Sequence, residues 1–180
     1  MTSPPPVWLR GPVPGIQPAL QPVAHALMQV AEETPIVLAR LSPKEIWARP
    51  GGAASIGFHV AHLVGSLDRL FTYSRGESLS SDQRAALVAE GTIDTTQPSM
   101  PDILHLLSRT VDAALQHLRT VPPASLSAPR EVGKARLLST TLGLLFHAAE
   151  HSIRHGGQII TMARVVQGAE QSRPGSLGSH

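Results

Sequence analysis

Four stretches of this chain carry apolar side chains at the 3.6-residue period of a helix, and that pattern restricts the fold more than any other feature. The clearest begins at Pro101, where Leu104, Leu107, Val111, Ala114, Leu115 and Leu118 share one face. Pro122 and Pro123 follow, and proline cannot continue a helix because it lacks the N–H and clashes with the preceding turn. A second stripe, Ile56, Val60, Leu63, Leu67, Leu70 and Phe71, starts just after Ser55, whose hydroxyl suits an N-cap.

The first long segment runs from Pro22 to about Leu41 with Val23, Leu27, Val30, Val37, Leu38 and Leu41 at helical spacing. Pro35 is expected to kink or divide it. Ser42 and Pro43 then predict a short turn of helix through Glu45 to Trp47, ended by Arg49-Pro50-Gly51-Gly52. Residues 77–100 form a long connection, within which Ser80 and Gln83 read as a capping box for a short helix ending at Gly91. The last helix is predicted from about Leu137 to Gly168. No segment alternates like a strand and no internal repeat is present, so the expected fold is all-α, a four-helix bundle. The connection of about 25 residues between the second and third long helices can cross such a bundle, which lets those two helices run parallel.

A length of 180 residues suits one domain. The expected organisation is a Pro-rich extended arm over 1–15, the bundle over 16–168, and a disordered Gly/Ser-rich tail over 169–180. Aromatic residues make up only 3%, so Leu, Val, Ile and Ala must fill the core. The chain has no cysteine, which rules out disulfides and thiolate zinc sites; a bound metal must take His, Asp, Glu or water. A net charge of +2 gives no basic footprint for nucleic acid. No apolar run reaches the ~18 residues of a membrane span. The opening MTSPPPVWLRGPVPG lacks the order of a signal peptide, so the expectation is a cytoplasmic protein that binds neither nucleic acid nor membrane.

Nine histidines stand out against this plain background. In LLFHAAEHSIRHGGQII, His147, His151 and His155 are four residues apart and project from one helix face at successive turns. Two histidines at that spacing can reach one ion with Zn–N bonds of roughly 2.0–2.1 Å. A third donor must come from a facing helix, and SIGFHVAHLVGSLDRL offers His59 and His62. A single helical histidine is far more often an ordinary packed or surface residue, and it is the in-phase series facing another histidine-bearing helix that favours metal. Glu150 directly precedes His151, so no glutamate stands between two ligands as in the zincin arrangement. His25, His105 and His117 belong to no constellation.

HLVGSLDRL following Trp47-Ala-Arg-Pro50 and Ser55-Ile56, together with His151-x-x-x-His155-Gly-Gly-Gln158, resembles the DinB/YfiT superfamily over roughly residues 20–168. The resemblance implies a four-helix bundle, often dimeric, with three histidines holding a divalent metal, zinc or nickel. By position the ligands would be His62, His151 and His155. The apolar stripe instead places His59 nearer its centre, so His59 stands as the competing ligand. Some members transfer low-molecular-weight thiols, others resemble isomerases or hydrolases.

The neighbouring residues have two readings each. His147 lines the pocket or packs; Gln158 lies on the ligand face and suits a hydrogen bond to a ligand's free ring nitrogen, or to another helix. Arg69 and Tyr73 share the His62 side and suit an anionic substrate, although such residues more often form a solvated face. Gly156 and Gly157 weaken the helix and point to a close neighbour. The functional expectation is a metal-dependent transferase, with a small thiol as candidate substrate, or a hydrolase. The rival is a non-catalytic metal- or small-ligand-binding bundle acting under stress. The last helix is apolar nearly all round, which favours a homodimer. No catalytic side chain is assigned.

Overall fold

The computed structural model describes residues 4–171; the tail expected at the C-terminus lies, beyond Gln171, outside them. The described residues are mostly helical. In chain order they form α1 (Gln21–Leu38), α2 (Pro43–Ile46), α3 (Ile56–Ser74), α4 (Ser81–Ala89), α5 (Ile93–Thr96), α6 (Met100–Thr120), the strands β1 (Pro129–Val132) and β2 (Leu137–Thr140), and α7 (Thr141–Gln171).

The helix starts follow the caps. Ser42 and Glu45 form a reciprocal capping box on α2, as do Ser80 and Gln83 on α4. The Ser55 hydroxyl accepts from the Phe58 amide at 2.9 Å. Each satisfies donors that a helix N-terminus leaves without intrahelical partners. Pro35 falls in the last turn of α1, where the helix is continuous to Leu38; the expected break comes only at the turn that follows.

The four long helices pack as a ring, in the order α1, α7, α3, α6 and back to α1. Val30 of α1 lies against Gly156 of α7, and Gln167 donates to the Arg40 carbonyl, so these two helices run the same way. Phe71 and Ser74, at the end of α3, meet His117 near the end of α6, so this pair is parallel too. The connection 75–99 accordingly crosses from one end of the molecule to the other. Leu20, Leu27, Ile56, Leu63, Leu67, Leu107, Leu118, Leu145 and Ile159 are almost wholly buried between the four helices. Aliphatic area of this kind, at roughly 25 cal/mol per Å² removed from water, is the main force holding them together.

Two local predictions need correction. Residues 129–140 form an antiparallel hairpin, with Pro129 opposite Thr140 and Val132 opposite Leu137. The last helix therefore starts at Thr141, not at Leu137. Leu137 and Leu138 are exposed, so the apolar pair that suggested a helix start buries little. The turn is made by Gly133 and Arg136, both at positive φ, and the Arg130 Nε donates to the Ser74 carbonyl at 2.7 Å, fastening the hairpin to the end of α3.

The Pro-rich start is also more organised than an extended arm. Val7–Leu9 form a 3-10 turn, Arg10 pairs with Glu32 of α1 at 2.7 Å, and the Gln17 side chain donates to the Val121 carbonyl after α6. Val7 and Ile16 are buried. No helix among the described residues is long and apolar enough to cross a membrane.

Candidate metal centre

Helices α3 and α7 bring four histidines face to face. His59 meets His155 and His62 meets His151, and this reversed order shows that the two helices are antiparallel. The i,i+4 pair on α7 lies one turn apart on the face turned to α3, as the sequence spacing required. His62 and His59 are three residues apart, so they occupy neighbouring positions on α3.

The ring atoms differ in what they face. The Nε2 atoms of His62 and His151 stand 3.2 Å apart. One nitrogen from each of His62, His151 and His155 lies within 4.8 Å of the others. His59 sits deeper, with its Nδ1 3.1 Å from the Nδ1 of His155. Phe58 stacks on the His62 ring at 5.5 Å between centroids and covers it from the side.

Glu90, from the crossing connection, completes the arrangement. It accepts from the His62 Nδ1 at 2.7 Å and from Arg69 through both of its own oxygens. A carboxylate can only accept, so His62 carries its proton on Nδ1 and presents a lone pair at Nε2. Burial raises the Glu90 carboxyl, but the hydrogen bonds from His62 and Arg69, with their charges, outweigh it and leave it below the usual carboxylate range.

Burial also holds three of the imidazoles, those of His59, His151 and His155, toward the neutral form. Loss of water, then the repulsion of His151, His62 and His59, takes His155 down to about 3. His151 is lowered by burial first and by His62, His147 and Arg154 next; His59 is lowered by burial and by His62. Neutral imidazole is the metal-ligating form.

The donor set fits a metal ion. Two nitrogens bound at roughly 2.0–2.1 Å with a tetrahedral angle between them stand about 3.3 Å apart, close to the separation of the His62 and His151 Nε2 atoms. The Nδ1 of His151 is buried with no hydrogen-bond partner, so the hydrogen-bond contact of this ring is at Nε2, the atom turned to His62.

Other candidates from the sequence lie elsewhere. His147 is at the rim, half exposed, with its Nδ1 3.2 Å from Glu150 and its ring beside His151. Gln158 is exposed and hydrogen-bonds none of the histidines; the partner of His155 is His59. Arg69 is buried, its guanidinium engaged by Glu90. Tyr73 is eleven residues beyond His62, about 16 Å along the helix axis, in clefts lined by α4 and the hairpin. The sequence reading missed Glu90 altogether. Its only signal was position, one residue past a capped short helix in a connection with no periodicity.

A helical protein with a three-histidine group able to hold a metal ion is what this fold and cluster define. The chain belongs to the DinB superfamily, whose sequence profile matches residues 8–159, a metal-associated superfamily. The comparison with curated proteins finds no match.

Proposed function

We propose that the chain is a divalent-metal-dependent enzyme, a transferase acting on a small thiol or a hydrolase, with the ion held by His62, His151 and His155. The observation that carries this reading is the convergence of three ligand nitrogens within 4.8 Å across α3 and α7. His59 is then the partner of a ligand, because its Nδ1 is turned to His155. In this reading 16–168 is the family's four-helix bundle, preceded by the 1–15 segment, and the protein is a cytoplasmic homodimer.

Bound there, a zinc or nickel ion would supply Lewis acidity, lowering the pKa of a bound water toward ~7 or taking a thiol as its thiolate. The side chains have three tasks. His62, His151 and His155 present lone pairs, and burial keeps His151 and His155 unprotonated. Three ligands leave a tetrahedral position open to a small molecule. Phe58 covers His62 on one side and limits water there.

Elemental analysis of the purified protein is expected to give about one divalent metal per chain, lost in His151→Ala and His155→Ala. Full occupancy in both variants would overturn the assignment. Retention in His62→Ala with loss in His59→Ala would exchange the third ligand. The cobalt-substituted protein separates catalysis from mere binding: its visible spectrum should change when thiols or acetate are added. A spectrum indifferent to all of them favours the non-catalytic rival.

A further inference from the structure

The crossing connection touches the rest of the molecule in an unusual way. Its helix α4 buries no residue, so apolar packing does little to hold it. Instead it is fastened to α3 by three polar clasps. Gln83 donates to Asp68 and to Thr72, both at 2.7 Å. Glu90 takes His62 and Arg69. Asp94 accepts from the Ser55 hydroxyl at the start of α3. Only the middle clasp ends on a residue of the histidine group.

The ion pair within that clasp is largely withdrawn from water. The side chains of Glu90 and Arg69 are each 11% exposed, and a carboxylate so withdrawn from water persists only while its partners hold it. Gly65 makes the room. A Cβ at that position would stand 2.3 Å from the Glu90 Oε1 and 2.7 Å from the Arg69 Nη1. The backbone of α3 is thus bare where the carboxylate passes on its way to His62, one turn away.

We infer that Glu90 is the positioning residue of the metal centre: through Nδ1 it fixes the tautomer and ring angle of His62, and Arg69 holds it in place. The inference rests on the metal reading given above. A carboxylate on the far nitrogen of a ligating imidazole orients the ring and makes its other nitrogen a stronger donor. The same contact makes the placement of residues 81–96 depend on His62, so occupancy of the site and attachment of the connection favour each other by linkage. A purely structural ion pair between Glu90 and Arg69 would hold the connection equally well and leave His62 alone.

Long-range proton–nitrogen spectra of metal-free, nitrogen-15 histidine-labelled protein read the tautomer of each ring. His62 is expected as the Nδ1–H form in the wild type and in Glu90→Gln, whose carbonyl still accepts, and to lose that preference in Glu90→Ala. Zinc affinity, measured against a coloured chelator, should fall about 10–100-fold in Glu90→Ala and less in Glu90→Gln. A wild-type His62 protonated on Nε2 overturns the inference, as does an affinity in Glu90→Ala within about threefold of wild type. Should the alanine variant not fold, the wild-type tautomer and the glutamine variant decide the question alone. If the wild type binds zinc no better than His151→Ala, the metal reading fails instead, while the His62 spectrum still reports whether Glu90 sets the tautomer.

Discussion

Replacing Gly65 with alanine tests the packing around Glu90 without touching a histidine, and its sign is informative. In the middle of a helix, Gly→Ala normally stabilises by roughly 1 kcal/mol, because glycine loses more backbone freedom on folding. Here the added methyl would lie 2.3 Å from one oxygen of Glu90 and 2.7 Å from a guanidinium nitrogen of Arg69, far inside contact distance. Both side-chain ends must shift, and the prediction is that this parts the pair. Both are nearly buried, and breaking a buried pair costs about 3–5 kcal/mol, because the charge left behind has no partner. Set against the helix gain, the net expectation is a destabilisation of about 2–4 kcal/mol, or about 5–15 °C in Tm for a chain of this size.

Thermal and urea unfolding of the metal-free protein measure this directly. A double-mutant cycle sharpens it: in a Glu90→Ala background only the Arg69 guanidinium, freed of its partner, remains in the way, and the cost of Gly65→Ala should shrink toward zero. The reasoning is refuted if Gly65→Ala stabilises the otherwise wild-type protein by its full helix propensity. That outcome would mean that the carboxylate swings into water at no cost.

Two further expectations concern pH and assembly. His59, His117, His151 and His155 are all held below their unfolded value of 6.5, mainly by burial. Below 6.5 the unfolded chain binds more protons than the folded one at each of these sites, so metal-free stability is full above about pH 6.5 and falls as the pH drops, for His155 down to about pH 3, by at most about 1.4 kcal/mol per pH unit for each group. The difference in Tm between pH 7 and pH 5 should shrink in His155→Gln, and an unchanged difference would sink the argument. For the proposed homodimer, the motive is that Phe146, Ile153 and Val165 of α7 remain exposed; light scattering should give twice the mass of one chain at micromolar concentration, and a single-chain mass would end that proposal.

Much of this architecture was legible because local chemistry and tertiary packing agree. Ser42 with Glu45, Ser55, and Ser80 with Gln83 announce helix starts through hydrogen bonds made within four residues. The stripe of α6 is read directly, since Leu107, Val111, Ala114 and Leu118 are all buried. The histidine group was visible for the same reason, since i,i+4 spacing fixes a shared face before any partner is known. The hairpin was not, because its strands have little apolar alternation to reveal them: Leu137 and Leu138 are adjacent and both exposed. Their pairing depends on the backbone and on a turn with two positive-φ residues. Glu90 was illegible in a different way. Nothing near it in sequence needs a carboxylate; its partners lie 28 and 21 residues away, and only the crossing of the connection over α3 brings them together.

If His62 and not His59 is the third ligand, as proposed, depth of burial is a poor guide to the ligand. His59 is the more deeply buried of the two, and the apolar stripe favoured it for that reason. A divalent ion is costly to withdraw from water, and neutral imidazoles do nothing to cancel its charge. At His62 the ion's surroundings include the Glu90 carboxylate, but Arg69 lies on that carboxylate with a charge of opposite sign, so the pair together contributes almost no net charge. An ion held by His62, His151 and His155 would therefore keep its full positive charge at the less buried end of the histidine group. Such a charge is best compensated by an anion arriving from outside, which is the condition for taking a thiolate, carboxylate or hydroxide into the fourth position. In the same reading His59, one step further in and only 7% exposed, would steady His155 through its Nδ1.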